Sequence, residues 1–326
     1  MEAFKVEKPC LENPAWIVYF PTDDCNYKCK HCFLENKPDK NEMTYEEIMK
    51  IFSSSKFLKH TRIGISGGEP FLRKDIVKVL SGISHLGYNL EITTSGGFPE
   101  RVQQFLLQAD CSKVDIAISI DGLKDVHDKI RGRGAFGKAM KTLEIVKESG
   151  VHLFQVNTVI QKTNMHQLKE IRTYFSGLGV KYHFFIPLLS TSNKRVAYTD
   201  AEIEKMLPYI HYRFDLKYLL TRGNFRIKDC HAGQNTCFID PMGKVYSCLT
   251  GQRFFFPRKN YFMGDLRKLD YQFDELWISE QANQARKDVK RCEGCYNGCE
   301  VHREKSFYFL DDNIDWDEVR KIWGNF

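Results

Sequence analysis

Three cysteines near the start of the chain, Cys25, Cys29 and Cys32, have a spacing that suits an iron–sulfur cluster. They follow an apolar run, Trp16–Phe20, which is typical of a buried strand that leads directly into a loop. Three thiolates on one tight loop can hold three irons of a [4Fe–4S] cluster and leave the fourth iron open to a small molecule. The alternatives are cysteines that meet by chance and a zinc knuckle, for which His31 is a poorly placed fourth ligand.

Six more cysteines form a second group late in the chain. A β-turn is predicted at Asp240–Gly243, between two short apolar runs, so that a hairpin returns the chain towards its start. This hairpin would bring the first three cysteines of the group within reach of one another. A C-x2-C pair combined with distant cysteines is also the layout of a zinc ribbon, so zinc remains open for this group. The six cysteines are Cys230, Cys237, Cys248, Cys292, Cys295 and Cys299.

Length and composition indicate a globular intracellular protein. The 326 residues favour one large domain plus a smaller one, and 42% hydrophobic residues suffice for a sizeable core. The formal charge of +6 is scattered along the chain, which argues against a nucleic-acid-binding surface, and no apolar run is long enough for a membrane helix. Eleven cysteines without an export signal indicate metal binding in the reducing cytoplasm, with Cys10 and Cys111 as lone apolar residues.

Short apolar runs alternate with amphipathic stretches from Trp16 to about Ile186. This alternation predicts βαβ units and a parallel sheet, whose carboxyl edge would carry the chemistry. Two capping boxes mark helix starts, at Thr44 with Glu47 and at Thr199 with Glu202. The predicted strands are Trp16–Phe20, Arg62–Ser66, Leu90–Thr94, Val114–Ile120, Phe154–Ile160 and Tyr182–Ile186, and the predicted helices cover residues 45–55, 75–86, 99–109, 135–149, 165–178 and 200–220.

The first cysteine loop resembles the C-x3-C-x-φ-C motif of the radical S-adenosylmethionine (SAM) superfamily. His31 occupies the position that an aromatic ring usually holds, and the resemblance makes it a candidate cofactor-binding residue. Gly67-Gly68-Glu69-Pro70 follows the second strand as in that family. The resemblance implies SAM on a [4Fe–4S] cluster and a partial (β/α)6 barrel, because the chain is too short for eight units. It also implies an N-terminal extension over residues 1–14, a barrel over 15–220, a cysteine-rich domain over 221–305 and a capping helix over 306–326.

The resemblance also assigns roles to residues at the strand ends. In the family, the motif at Gly67, Gly68, Glu69 and Pro70 binds the amino group of the methionine part of SAM. Ser95 stands where the family often has an asparagine near the cofactor. The stretch from Ser119-Ile-Asp121-Gly to His127-Asp128 and Arg131-Gly132 resembles a pattern of peptide- and protein-modifying members. There the serine and aspartate lie near the ribose, and the arginine pairs with the cofactor carboxylate. Asn157 and Gln161 near the fifth strand are polar but have no assigned role.

The second cysteine group resembles the SPASM and twitch extensions of this superfamily, which carry one or two auxiliary [4Fe–4S] clusters. Six cysteines are fewer than two full clusters ordinarily take, so one auxiliary cluster is predicted, and a second, partly ligated one remains an alternative. Its ligands would be Cys230 and Cys248 with two of Cys292, Cys295 and Cys299, while Cys237 and His302 are further candidates. Leu249 stands where sulfatase-maturing members have an aspartate, so that activity is not expected.

The resemblance implies reductive cleavage of SAM to a 5′-deoxyadenosyl radical that abstracts a hydrogen from the substrate, with flavodoxin or ferredoxin as electron donor. Three functions are open. The first is crosslinking or oxidation of a ribosomally made peptide, the second is dehydrogenation or epimerisation of a sugar or aminocyclitol, and the third is a non-catalytic Fe–S or zinc protein. The pattern from Ser119 to Gly132 favours peptides, although no leader-binding domain of about 80 residues is expected before Trp16.

Overall fold

The structure is a computed structural model of the chain. The described residues are 13–32, 34, 41–56, 58, 61–189, 196–210, 215, 219–220, 232–249 and 261–290. The predicted extension over residues 1–14, except its last two residues, lies outside the described residues. The same holds for the domain boundary near residue 221, for His302 and for the predicted helix at 306–326.

A parallel sheet forms the body of the protein and confirms the predicted α/β class. The first six strands pair in sequence order, each parallel to its neighbour. All six lie within two residues of the predicted runs, because each is a β-branched or aromatic segment bounded by turns. They are β1 (Trp16–Tyr19), β2 (Arg62–Ile65), β3 (Asn89–Thr94), β4 (Val114–Ser119), β5 (Leu153–Ile160) and β6 (Tyr182–Pro187).

Helices between the strands cover one face of the sheet. Both predicted capping boxes are present, with Thr44 capping α1 and Thr199 capping α7. The helix predicted over residues 200–220 is interrupted: α7 ends at Met206 and continues as one 3-10 turn, because Pro208 cannot donate to the helical ladder. Asp215, Leu219 and Leu220 are again helical. The helices are α1 (Tyr45–Ser54), α2 (Ile76–His85), α3 (Pro99–Leu106), α4 (Lys124–Arg131), α5 (Ala135–Glu148), α6 (Leu168–Gly177), α7 (Asp200–Met206), α8 (Phe273–Ile278) and α9 (Glu280–Lys290).

Three further strands extend the same sheet beyond β1. β7 (Thr236–Ile239) pairs in parallel with β1, and β8 (Lys244–Tyr246) and β9 (Phe262–Asp265) follow in antiparallel order. The sheet order is β6-β5-β4-β3-β2-β1-β7-β8-β9, and in the described part of the chain its two end strands do not pair with each other. The predicted hairpin is confirmed, and its first strand is hydrogen-bonded into the main sheet.

The main core lies between the sheet and its helices. Alternate strand residues, such as Ile17 and Tyr19 on β1, pack against helix residues such as Ile48 and Val79. The opposite face of β1, β7 and β8 carries a second, aromatic cluster that includes Phe20, packed edge-on to Phe238 at 4.7 Å. The helices of the described part of the chain are all too short or too polar to cross a membrane.

Candidate active site

The carboxyl ends of the parallel strands meet at one edge of the sheet, as expected for α/β proteins. The cysteine loop follows β1, the Gly67–Pro70 loop follows β2, and Ser95 follows β3. Asp121 follows β4, and Gln161 follows β5. The turn at Asp240 joins the same edge, because β7 runs parallel to β1 and Met43 donates its N–H to the Pro241 carbonyl at 2.7 Å.

The loop with Cys25, Cys29 and Cys32 is held by local hydrogen bonds. The backbone N–H of Cys25 donates to Asp24 Oδ1 at 2.8 Å, and the N–H of Cys32 donates to the Cys29 carbonyl at 3.0 Å. The backbone N–H of Tyr27 points at Cys25 Sγ, 3.4 Å away. All three cysteines are half-buried and free of disulfides. Burial raises the pKa of the Cys25 thiol to about 12, so that its ionisation is coupled to metal binding.

Gly67 and Gly68 allow the β2 loop to pack directly against the cysteine loop. A Cβ on Gly68 would lie 1.9 Å from the Asp24 carbonyl oxygen, and one on Gly67 would lie 2.4 Å from the Thr22 carbonyl oxygen. Gly67 also has φ of +126°, which glycine adopts far more readily than other residues. Both positions must be glycine because, among the described residues, the backbone there lies directly against Thr22 and Asp24 of the cysteine loop.

The Glu69 carboxylate joins the β2 loop to the end of β3. Its Oε1 accepts from Phe71 N at 3.1 Å and from Thr94 Oγ1 at 2.7 Å. Its Oε2 accepts from the backbone N–H and the hydroxyl of Ser95, at 2.7 and 2.6 Å. Pro70 begins the short 3-10 turn that Glu69 caps. Because Glu69 is 1% exposed, these four bonds satisfy a carboxylate that burial would otherwise destabilise.

Asp121 and Arg131 form a buried ion pair beside the cysteine loop. Arg131 Nε donates to Asp121 Oδ2 at 2.7 Å, and Asp121 Oδ1 accepts from the backbone N–H of Val159 at 2.9 Å. Burial opposes the charge of Asp121, but Arg131 and His31 outweigh it and hold the pKa of Asp121 below its usual value. Burial likewise raises the pKa of the Cys29 thiol, and Arg131 opposes that rise, which places the guanidinium within electrostatic reach of Cys29.

The remaining nitrogens of Arg131 have a different environment. Its side chain is 9% exposed, and the two terminal amino groups donate to none of the described residues. Two charge-assisted donors of Arg131 are therefore available to an anionic ligand as far as the described residues show. Ser119, which was predicted to lie near the ribose, is half-buried at the end of β4 beside Asn157 of β5.

His127 and Asp128 position the segment that carries Arg131. His127 Nδ1 accepts from the backbone N–H of Asp121 at 3.0 Å, and burial, aided by Arg131, lowers the pKa of His127 to about 4. Asp128 accepts from the N–H groups of Gly134 and Phe136, both at 2.8 Å, and so joins α4 to the start of α5. The helix α4 itself was not predicted, because most of its eight residues are polar and only His127 and Ile130 are buried.

His31 reaches across from the cysteine loop to the loops after β4 and β5. Its Nδ1 lies 3.3 Å from Gln161 Nε2, and its Nε2 lies 3.8 Å from Asp121 Oδ2. Burial, opposed by Asp121 but aided by Arg131, lowers the pKa of His31. Asn164 Nδ2 donates to the carbonyls of Asp121 and Val159, at 2.7 and 2.8 Å. Sequence reasoning noted Gln161 without a role and missed Asn164, and their position directly after a strand was the available signal.

The donor set of the first loop fits an iron–sulfur cluster better than a zinc ion. A zinc ion needs ligands that converge on one point, and no three His, Cys, Asp or Glu side chains of the described residues do so. Thiolates of a [4Fe–4S] cluster each bind a different iron and need no such convergence. The nearby Tyr27 N–H and the Arg131 cation suit the negative charge of bound thiolates.

The described cysteines of the second group lie in two different environments. Cys237 is 2% exposed in β7, on the face that belongs to the main core beside Ile17. Cys248 is half-buried just after β8 and packs against Ala232, Tyr261 and Val289. The predicted ligands that lie outside the described residues are Cys230, Cys292, Cys295 and Cys299.

Arg286 of α9 holds the turn that precedes β7. Its Nε donates to the Gly233 carbonyl at 2.6 Å, and one terminal amino group donates to the Trp277 carbonyl at 2.8 Å. Gly233, with φ of +75°, packs so closely on Ser247 that an added Cβ would lie 2.7 Å from the Ser247 Cβ. Gly233 is thereby held against Ser247, the residue that precedes Cys248.

The family models match both halves of this arrangement. The model described as the radical SAM superfamily matches residues 19–175, which contain the cysteine loop and all five strand ends that surround it. The chain belongs to the radical SAM superfamily. A second model, SPASM, an iron–sulfur cluster-binding domain, matches residues 230–299 and covers the second cysteine group. The cofactors of this radical SAM enzyme are therefore a [4Fe–4S] cluster with SAM and an auxiliary iron–sulfur centre.

Curated relatives of this radical SAM enzyme have different activities. Mycofactocin maturase MftC of Mycobacterium tuberculosis is 25% identical over 97% of this chain and 84% of its own length. AdoMet-dependent heme synthase of Methanosarcina barkeri is 24% identical over 89% of both chains. Both alignments extend across the barrel and the second cysteine group.

Solved structures share the fold. SuiB of Streptococcus suis bound to S-adenosylmethionine has a TM-score of 0.66 at 17% identity, over 92% of this chain and 77% of SuiB. SuiB bound to its precursor peptide SuiA has a TM-score of 0.61 at 19% identity, over 93% of this chain and 76% of SuiB. The likeness confirms the radical SAM fold, which the sequence predicted as a partial barrel with a C-terminal extension.

Proposed function

We propose that this radical SAM enzyme crosslinks or oxidises a residue in a ribosomally made peptide. The arrangement of Asp121, His127, Asp128 and Arg131 is the observation that carries the proposal. It gives a physical role to these four residues of the pattern that resembles peptide-modifying members. The relationship to a maturase and the shared fold with a protein solved with a precursor peptide also support it.

The cysteine loop and its neighbours would hold the cofactors. Cys25, Cys29 and Cys32 would bind the first cluster, and the two terminal amino groups of Arg131 would pair with the SAM carboxylate. The Gly67–Pro70 loop and Ser95 would lie against the methionine part of SAM, while Glu69 keeps these two loops together. When bound, the cluster and SAM supply a 5′-deoxyadenosyl radical that abstracts a substrate hydrogen.

The chain's own contribution is to orient the cofactor. Asp121 holds the Arg131 guanidinium in one position, so that the side chain loses little conformational freedom when an anion binds. The cysteine loop packs against Gly68 through Asp24 and contacts Gln161 through His31, so that loops after three strands hold its shape.

The second cysteine group would hold one auxiliary cluster through Cys230, Cys248 and two of the three later cysteines. The burial of Cys237 in the main core supports leaving it out of the ligand set. This cluster would take an electron from the substrate radical or anchor the substrate. A flavodoxin or ferredoxin would reduce the first cluster, and the many free thiols suit the reducing cytoplasm.

A second candidate function is oxidation of a small molecule at the same site. The sequence identity to AdoMet-dependent heme synthase, 24%, is close to the 25% identity to the maturase. This favours the second candidate, because heme is not a peptide. The non-catalytic alternative is set aside, because the chain belongs to an enzyme superfamily.

The test uses the anaerobically reconstituted protein with dithionite and a short peptide encoded beside its gene. We expect slow cleavage of SAM to 5′-deoxyadenosine without peptide, faster cleavage with it, and a peptide that has lost two hydrogens by mass spectrometry. The variant Cys248→Ala should keep the slow cleavage and lose the peptide product. No cleavage of SAM by a protein with a full first cluster would contradict the proposed function. Cleavage that no peptide accelerates, but a small molecule does, would favour the second candidate.

A further inference from the structure

Gln161 makes a side-chain contact with the cysteine loop that none of the known parts of the site explains. It is 8% exposed, and His31, whose side chain is 11% exposed, lies against it. The two residues are 130 positions apart in the chain and belong to loops that follow β1 and β5. The contact therefore joins the cluster loop to a strand end on the far side of the site.

The contact bears on the orientation of the His31 ring. The amide Nε2 of Gln161 is a donor and lies 3.3 Å from His31 Nδ1. The other ring nitrogen, Nε2, faces Asp121 Oδ2 at 3.8 Å. The last side-chain torsion of a histidine has broad energy wells, so that packing alone orients such a ring poorly. A donor on one nitrogen and a carboxylate facing the other select a single orientation.

Gln161 is itself held rigidly. Its backbone N–H donates to Asn164 Oδ1 at 2.8 Å, and its carbonyl accepts from the N–H groups of Asn164 and Met165, both at 3.0 Å. Asn164 in turn donates to the Asp121 carbonyl at 2.7 Å. The Gln161 side chain therefore starts from a backbone that is tied to the same loop as the Asp121–Arg131 pair.

We propose that Gln161 is a positioning residue for SAM, which acts by holding the His31 ring in one orientation. The inference rests on the proposed function, because His31 is the loop side chain expected to contact the cofactor. Gln161 would not touch SAM itself. Loss of its donor would let the ring rotate and weaken cofactor binding without removing any iron ligand.

The experiment is a double-mutant cycle on SAM affinity, measured by equilibrium binding to the reconstituted protein. Gln161→Ala, and Gln161→Met with similar length and no donor, should each weaken SAM binding about 2- to 10-fold, as for one neutral hydrogen bond. In a His31→Phe background the ring has no nitrogen to accept, so the same changes at Gln161 should have almost no further effect. The SAM-induced change in the electron paramagnetic resonance spectrum of the reduced cluster should be altered in parallel.

The control is Gln167→Ala. Gln167 also holds a loop at this edge, by accepting from Leu123 N at 3.2 Å, and has no hydrogen bond to His31 among the described residues. It should leave SAM affinity and the spectrum unchanged. Two results would overturn the proposal: Gln161 variants with normal affinity, or variants whose loss is as large in the His31→Phe background as with the histidine in place. If the unmodified protein with a full first cluster does not bind SAM, the proposed function fails instead.

Discussion

The backbone of Gly68 lies in direct contact with the backbone of Asp24. A Cβ on Gly68 would lie 1.9 Å from the Asp24 carbonyl oxygen, and the next residue, Glu69, donates its N–H to that oxygen at 2.8 Å. The loops after β1 and β2 are therefore one packed unit. The shape of the cysteine loop depends on a residue more than 30 positions away.

Replacement of Gly68 by Ala should disrupt the first cluster. The Asp24 backbone cannot move aside without displacing Cys25, so iron should fall from about eight to about four per chain, with lower thermal stability. Gly137→Ala is the matched control, because an added Cβ there meets nothing within 4 Å on the surface of α5. It should keep all the iron and stabilise the protein by about 0.5–1 kcal/mol. Full iron content and normal melting of the Gly68 variant would show that the contact can relax.

Arg131→Lys should weaken SAM binding while the protein stays folded. Lysine keeps a positive charge near Asp121 but lacks the amino groups that would face the SAM carboxylate. The loss should be about 1.5–3 kcal/mol, or roughly 10- to 150-fold in dissociation constant, measured by titration. Arg131→Ala is less informative, because it would leave Asp121 buried without its cation. Arg133 is exposed, so the control variant Arg133→Ala should bind SAM normally. If the Arg131→Lys variant binds SAM as tightly as the unmodified protein, the assignment of Arg131 is wrong.

Two single cysteine variants should separate the core from the auxiliary cluster. Cys237→Ala should keep about eight irons and lower the free energy of unfolding by about 1 kcal/mol, because its sulfur lies in the main core. Cys248→Ala should keep only about four irons. Iron and zinc are measured by elemental analysis of the reconstituted proteins. Loss of iron in the Cys237 variant would make that residue a ligand, and zinc in place of iron at the second group would exclude the auxiliary cluster.

His127 should make the protein less stable in mild acid. Burial lowers its pKa from 6.5 to about 4 in the folded protein. Between these values the unfolded chain binds a proton that the folded chain does not, so unfolding becomes more favourable as the pH falls from 6.5 towards 4. The resulting loss in the free energy of unfolding reaches about 3 kcal/mol near pH 4 and is absent above pH 7.

Urea unfolding at several pH values measures this effect. The variant His127→Asn keeps an acceptor for the Asp121 N–H but cannot titrate, so its stability should fall less steeply between pH 6.5 and 4. His152→Asn is the control, since that histidine side chain is 62% exposed. Identical slopes for the His127 variant and the unmodified protein would assign the acid sensitivity to other groups.

Local patterns were enough for the elements of the barrel and for the ends of several helices. The six strands were found because each is a short apolar run between polar turns, and the caps at Thr44 and Thr199 need only residues three positions apart. The pattern failed at α4, which buries two residues, and at β9, which follows a stretch rich in Phe and Lys. Short elements of this kind are stabilised by tertiary contacts that leave little periodicity in the sequence.

The sequence by itself determined the class of fold and, through its resemblance to a family, the cofactors expected at the two cysteine groups. Spacing along a loop specifies which thiols can share a cluster, and alternation of runs specifies a parallel sheet. Only the tertiary structure decided which residues from separate loops contact one another. It showed that Gly68 packs on Asp24, that Gln161 holds His31, and that Cys237 faces the core while Cys248 does not. Such contacts join residues from separate loops, and their geometry depends on how the strands align, which no local pattern records.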